Sequence, residues 1–197
     1  GGTVLVGGDW QGSGDVRQAT QVTMEQGASI DASATDQGDG GKVVLWSDVH
    51  NADSVTRANG SIKAEAGPNG GDGGKIETSG HSLNVDGVGI SAQSTNGKNG
   101  EWLLDPYNVF IMNDATTSGE TLSAGTYTPS AAPSYIKSSD LNTALGSANV
   151  TVTTGSTSPG SSTGNIYVYD GLAWSANKLT LNAWNNIYVY FPINVTG

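Results

Sequence analysis

Gly41-Lys42-Val43-Val44-Leu45 is one of four occurrences of a single phrase, a glycine, a polar residue and then an apolar run. The others are Gly2-Thr3-Val4-Leu5, Gly74-Lys75-Ile76 and Gly100-Glu101-Trp102-Leu103-Leu104, at intervals of 39, 33 and 26 residues. Recurrence at about 20 to 50 residues marks a solenoid, in which each unit is one coil too small to bury its own apolar face and is stable only against its neighbours. A second phrase recurs inside each unit: Ala28-Ser29-Ile30-Asp31-Ala32, Gly60-Ser61-Ile62-Lys63-Ala64 and Gly87-Val88-Gly89-Ile90-Ser91-Ala92. Each offers one large apolar residue to an interior and small neighbours that tolerate close stacking. Between the phrases lie Asp39-Gly40-Gly41, Asn69-Gly70-Gly71-Asp72-Gly73-Gly74 and Asn96-Gly97-Lys98-Asn99-Gly100, residues that supply sharp corners.

Near the carboxyl end the register can be measured. Asn165-Ile166-Tyr167-Val168-Tyr169 recurs as Asn186-Ile187-Tyr188-Val189-Tyr190, and Leu172 and Trp174 recur as Ile193 and Val195, all displaced by 21. One coil of a parallel β-helix predicts such a shared displacement, with coils ~4.8 Å apart and like residues above like. At ~20 to 30 residues per coil the chain should build roughly seven to nine coils, a rod on the order of 40 Å long.

The bulk composition agrees. The chain has 29 glycines, 13% charged residues, no cysteine and about a fifth of its positions Ser or Thr. Helical periodicity is nearly absent, while short alternating runs of Val, Ile and Thr recur, so the class is all-β. A net charge of −10 with eight basic residues leaves no patch able to neutralise several phosphates, which argues against nucleic acid as a partner. No apolar run approaches the ~18 residues needed to cross a bilayer, and residues 1–20 lack the layout of a secretion signal. The expectation is an internal piece of a longer protein. The absence of cysteine fits an extracellular bacterial protein that relies on hydrogen-bond ladders rather than disulfides.

Three regions follow: residues 1–112 form coils with glycine-rich corners, 113–148 a Ser/Thr/Pro-rich excursion and short helix, and 149–197 further coils. The helix is expected at Leu141–Gly146, with Ser139-Asp140 as its cap and Gly146 as its stop.

Gly38-Asp39-Gly40-Gly41-Lys42-Val43-Val44-Leu45-Trp46-Ser47-Asp48, then Gly71-Asp72-Gly73-Gly74-Lys75-Ile76-Glu77-Thr78-Ser79-Gly80, then Trp102-Leu103-Leu104-Asp105-Pro106 resembles the shaft of large exoproteins of the two-partner secretion type, the filamentous-haemagglutinin-like adhesins of Gram-negative bacteria. Gly7-Gly8-Asp9-Trp10-Gln11-Gly12 upstream, and Leu141-Asn142-Thr143-Ala144-Leu145, Asn149-Val150-Thr151-Val152-Thr153-Thr154 and Leu179-Thr180-Leu181-Asn182-Ala183 downstream, extend the likeness over most of the chain. The resemblance implies a right-handed parallel β-helical stalk, secreted or displayed on the bacterial surface and used in adhesion, aggregation or biofilm matrix. Implied partners are a host or bacterial surface glycan or protein receptor, other copies of the shaft, and an outer-membrane transporter during export, with no membrane insertion of this segment. The amino-terminal secretion domain and carboxy-terminal anchor of such proteins are not in these 197 residues.

Parallel β-helices also carry polysaccharide-processing enzymes, which need carboxylates converging on one face with a calcium ion or a basic residue beside them. The acids here read as corner residues. Arg17 and Arg57 belong to different repeats with no carboxylate pair at a matching register, so no catalytic residue, cofactor or metal ligand is expected. His50 and His81 read as surface corner residues. Asp36, Asp39 and Asp72 read as turn formers, since the nine-residue period of calcium-binding repeats is missing.

The most distinctive local feature is aromatic. If Ile166, Val168, Ile187 and Val189 fill the interior, alternation sends Tyr167, Tyr169, Tyr188 and Tyr190 outward as two short ladders. These four are candidate contacts for sugar rings or for lateral association. The alternative is that the excursion or the helix covers them. Trp46 and Trp102 are expected to pack in the core or at corners. The reading is a non-enzymatic adhesin stalk, with two alternatives: a purely structural, self-assembling fibre segment, and a β-helical polysaccharide-processing enzyme.

Overall fold

The computed structural model describes residues 1–113, 134–154 and 164–197. The protein is all-β with stacked parallel sheets and, among the described residues, one short α-helix. In chain order, β1 (Thr3–Val6), β2 (Gln21–Met24) and β3 (Ser29–Asp31) are followed by β4 (Lys42–Trp46), β5 (Val55–Ala58) and β6 (Ser61–Lys63), then by β7 (Lys75–Gly80), β8 (Ser82–Asn84) and β9 (Gly89–Ser91). Next come β10 (Glu101–Pro106), β11 (Val109–Ile111), β12 (Ser134–Ile136), α1 (Ser138–Ala144) and β13 (Asn149–Thr153). The last five strands are β14 (Ile166–Val168), β15 (Leu172–Trp174), β16 (Leu179–Asn182), β17 (Ile187–Val189) and β18 (Ile193–Val195).

With the exception of β11 and β12, strands that follow one another in the chain enter different sheets. A first sheet runs β1-β4-β7-β10-β13-β16, a second β17-β14-β11-β12-β8-β5-β2, a third β3-β6-β9, and a fourth pairs β15 with β18. Every strand pairing among the described residues is parallel, and several join residues that the sequence phrases make equivalent. Thr3 aligns with Lys42, Lys42 with Lys75, and Lys75 with Glu101, so the four glycine phrases are one column. Ile30, Ile62 and Ile90 are a second column. The displacement of 21 is realised as Ile166 on Ile187 and Leu172 on Ile193.

The glycines of the first phrase are fixed by space. A Cβ on Gly41 would lie 1.9 Å from the Gly2 carbonyl oxygen, one on Gly74 2.0 Å from that of Gly41, and one on Gly100 2.0 Å from that of Gly74. Only a residue without a side chain lets the backbones approach this closely. Inward residues of successive layers form one continuous apolar cluster that includes Val43, Ile76, Trp102 and Val150 from the first sheet and Val109, Ile136 and Ile166 from the second. Trp46 and Trp102 are both buried, as expected, although Trp46 lies in a separate cluster with Val44 and Val49.

Three features depart from the sequence reading. The first sheet has six strands and the second seven, the lower end of seven to nine coils, so the stack is on the order of 30 Å at the usual strand spacing, shorter than ~40 Å. Glu101 and its partner Asn149 are separated by 48 positions, more than the ~20 to 30 residues per coil expected. Ser134–Ile136, assigned to the excursion, forms β12, which sits between β8 and β11 and so enters the second sheet out of chain order. Most of the remaining excursion, 114–133, lies outside the described residues.

The helix begins earlier than expected, at Ser138, with Lys137 as an N-cap that makes no side-chain capping bond. Asp140 does not cap it, because its carboxylate accepts the Gly87 N–H at 2.8 Å instead. The helix and the turn after it occupy the level above β9. Ser147 Oγ donates to the Ile90 carbonyl at 2.7 Å, the Asn142 side chain accepts the Ala173 N–H at 3.1 Å, and Asn177 Nδ2 donates to the Leu145 carbonyl at 2.8 Å. Polar groups thus satisfy two strand groups, the Ile90 carbonyl and the Ala173 N–H, and a carbonyl at the helix end, where the third sheet stops and the fourth begins.

Replacing Ile62, which is fully buried between Ile30 and Ile90, by Ala should cost about 3 kcal/mol in denaturant unfolding, whereas Lys63→Ala on the exposed side should stay within ~0.5 kcal/mol. Gly74→Ala should destabilise by ~3 kcal/mol although it adds a single methyl group, because backbone oxygen occupies the space.

Candidate functional site

Two outward clusters stand out, one on each large sheet. On the second sheet, aromatic rings form a column in strand register: Tyr135 aligns with Phe110, Phe110 with Tyr167, and Tyr167 with Tyr188. Ring centroids are 4.7 Å apart for Phe110–Tyr167 and 5.0 Å for Tyr167–Tyr188, with interplanar angles of 6° and 10°. A parallel column pairs Tyr169 with Tyr190 at 4.7 Å. The strands place these rings because Ile166 and Val168 are buried and alternation turns the intervening tyrosines outward.

An asparagine ladder sets the corner just before the rings. Asn108 Oδ1 accepts the Asn165 N–H at 2.9 Å, and Asn165 Oδ1 accepts the Asn186 N–H at 3.0 Å. Asn108-Val109-Phe110-Ile111 is therefore a third copy of the Asn-apolar-aromatic-apolar phrase. Sequence reasoning missed it because the inserted excursion breaks the spacing; the phrase itself was the available signal.

The stacking limits what the ladder can bind. A ring face against a neighbouring ring at van der Waals distance has no room for a sugar, so Tyr167, between Phe110 and Tyr188, presents only its edge. Tyr188 and Tyr190 at the outermost strand of the sheet are 38% and 55% exposed. Tyr169 is half-buried, and that burial, reinforced by Tyr190 beside it, pushes its phenol up to about 12.

On the first sheet the outward column runs Leu5, Val44, Glu77, Leu103. Glu77 is completely buried, 0% exposed. Residues 8–18 pass over this face as a strap whose 3₁₀ turn, Trp10–Gly12, contains Gln11 at φ 53°, the single non-glycine residue with positive φ among the described residues. The Gln11 N–H donates to Glu77 Oε2 at 2.8 Å, and Ser79 Oγ donates to Oε1 at 2.9 Å. Trp46 lies beneath the strap and donates through Nε1 to Gln18 Oε1 at 2.9 Å. Lys42 Nζ meets Asp9 Oδ1 at 2.8 Å, which holds the Asp9 carboxyl below the usual range.

Asp105 aligns with Ser79, two positions along from Glu77, so both carboxyls share one outward face. The two are not in register with each other, since Leu103 is the partner of Glu77. Alternation pointed both side chains outward, and an outward position is solvated only where nothing lies above it. Burial pushes Glu77 up to about 7, with the carboxyls of Asp105 and Asp9 adding to the rise. Burial also pushes Asp105 up to about 6, and its Oδ1 has no hydrogen-bond partner among the described residues. His81, expected at the surface, is 7% exposed and stacks on Tyr107 at 4.3 Å, with its Nδ1 3.1 Å from the Val49 carbonyl. His50 is exposed.

Among the described residues no group of three or more His, Asp or Glu side chains is arranged to hold a metal ion, and no helix is long and apolar enough to cross a membrane. Asp39 and Asp72 serve the corners: Asp39 Oδ1 accepts the Asp72 N–H, and Asp72 Oδ1 accepts the Lys98 N–H, each at 2.8 Å. Comparison with protein-family models and with curated proteins finds no match to the chain.

The raised carboxyls carry a signed consequence. The folded chain keeps protons on Glu77 and Asp105 where an unfolded chain, with values of 4.5 and 3.8, has released them, so stability is full at low pH and falls as pH rises towards about 7 and about 6. Urea unfolding should show a loss of at most ~3 kcal/mol from Glu77 between about pH 4.5 and about pH 7.5, and Glu77→Gln should remove that share. Stability that rises over this interval would contradict the assignment.

Proposed function

We propose that the chain is a segment of right-handed parallel β-helix that serves as a non-enzymatic stalk in a secreted or surface-displayed bacterial adhesin. The observation that supports this most is the columnar register: glycines, isoleucines, asparagines and aromatics each recur above their equivalents through successive layers. Such a chain invests its sequence in uniform stacking, the economy of a rod. The two buried carboxyls do not favour the enzymatic alternative, since Glu77 is sealed beneath the strap with both oxygens hydrogen-bonded.

The contact assigned to the ladder is narrowed to its outer members. Tyr188 and Tyr190 supply the exposed rings, while Tyr167 and Tyr169 act mainly as the stack that orients them. In this reading a glycan, or the flank of another shaft, meets the ladder at Tyr188 and Tyr190.

The self-assembling alternative draws support from one observation. Ile187, Val189 and Ile193 share the inward phase of the buried Ile166, Val168 and Leu172, yet are 42%, 53% and 37% exposed. A further coil laid on this layer, from flanking sequence or from another copy, would cover them.

A glycan array separates the readings. Binding that falls at least about tenfold in Tyr188→Ala/Tyr190→Ala but persists in Tyr167→Phe supports the adhesive stalk. Ligand-free end-to-end filaments in electron micrographs, with no glycan bound, would favour the fibre, and release of unsaturated sugars from pectin or alginate would overturn the non-enzymatic reading.

A further inference from the structure

We propose that Tyr169 and Tyr190 form an oxidative cross-linking site, where an external one-electron oxidant joins the two rings through a bond between their ortho carbons. The fold has already brought the reactants together. Tyr169 and Tyr190 follow the paired strands β14 and β17, in which Val168 aligns with Val189, and the Tyr190 N–H extends the pairing by donating to the Val168 carbonyl at 3.0 Å. The rings lie 4.7 Å apart at an interplanar angle of 9°. Tyr190 is 55% exposed and open to an oxidant, while Tyr169 beside it is half-buried. The phenols are neighbours as well as the rings, since Tyr190 helps to keep the proton on Tyr169.

The other column is less suited. Phe110 has no hydroxyl and forms no phenoxyl radical, so its stack on Tyr167 is inert. Tyr167 is held between Phe110 at 4.7 Å and Tyr188 at 5.0 Å, and its oxygen accepts the Asn165 side-chain amide at 3.2 Å. Tyr169 has more room. Val168 aligns with Ile111, so the next position in the Tyr169 column is Met112, and the nearest rings besides Tyr190 are Tyr167 at 5.9 Å and Phe110 at 6.1 Å. Coupling uses that room. In the stack the ortho carbons face one another across the gap; turning both rings about Cβ–Cγ, a soft torsion in tyrosine, sets them edge to edge on side chains that leave the backbone in parallel.

Loss of one electron and of the phenolic proton turns each tyrosine into a phenoxyl radical whose spin lies on the oxygen and the ortho carbons. The two radicals combine to form one carbon–carbon bond, and each bonded ortho carbon then passes its hydrogen to the oxygen as the ring regains aromaticity. Overall the pair loses two protons, which go to water, and two electrons, which reduce two oxidant molecules. The product ties one coil to the next across 21 residues, in a chain that has no cysteine for the purpose.

The test is a brief exposure of the dilute protein to photogenerated ruthenium(III) tris-bipyridyl, with persulfate as the electron acceptor. It should yield an intrachain product that has lost two hydrogen atoms, fluoresces as dityrosine and, after proteolysis, links the peptides of Tyr169 and Tyr190. Tyr169→Phe and Tyr190→Phe, which keep the stacked rings, should each lower the yield at least about tenfold, while Tyr188→Phe should leave most of it. Unfolding the unaltered protein in urea should lower the yield by a similar ~tenfold factor, because the register no longer holds the rings together. The absence of an intrachain product, a link that maps to Tyr167 and Tyr188 instead, or an equal yield in urea overturns the proposal.

Discussion

Everything in this molecule depends on parallel backbone pairing between residues one coil apart. Apart from β11 and β12, consecutive strands among the described residues do not pair with each other; each finds its partner in another layer, and the 14 strand pairings are all parallel. At the ~4.8 Å spacing of paired strands, whatever occupies a position in one layer touches its equivalent in the next. That proximity selects the residues. Glycines stack where backbone meets backbone, isoleucines where a side chain must fill the interior, asparagines where a corner N–H needs an acceptor, and aromatics where flat surfaces can lie face to face.

Side chains outside the core take their properties from what covers them. Glu77 and Lys63 both point away from the interior, yet Glu77 is fully buried and Lys63 exposed, because the 8–18 strap crosses the first sheet and nothing among the described residues seals the third sheet at Lys63. The strap turns an ordinary outward position into a low-dielectric site, and the carboxyl responds by holding its proton. In the ladder, stacking consumes the ring faces and leaves recognition to the outermost layer, so position along the stack, rather than residue type, decides which tyrosine can meet a ligand.

The columns were legible in the chain because stacking imposes repetition, and repetition survives variable coil length. The equivalence of Gly2, Gly41, Gly74 and Gly100, the alignment of Ile166 with Ile187 and the outward turn of the tyrosines all follow from it. What repetition does not encode was missed. The strap is an insertion present once, between β1 and β2, with no period to reveal it. Ser134-Tyr135-Ile136 is three residues long and returns out of chain order, so its pairing with Val109–Ile111 had no spacing signal. The burial of Glu77 was partly readable, since a lone acid among the outward Leu5, Val44 and Leu103 is anomalous on a solvated face. The helix boundary shifted because Asp140 serves Gly87, a partner 53 residues away.

The register can be tested directly, since the natural chain contains no cysteine. Ala173 and Asn194 are exposed partners on adjacent strands, at a Cα separation of ~4.8 Å that a disulfide can span. Ala173→Cys/Asn194→Cys should form an intramolecular disulfide in high yield under mild oxidation, while Ala173→Cys/Thr196→Cys, two positions out of register, should not. Equal yields from the two pairs, or preference for the second, would contradict the columnar stacking on which the whole account stands.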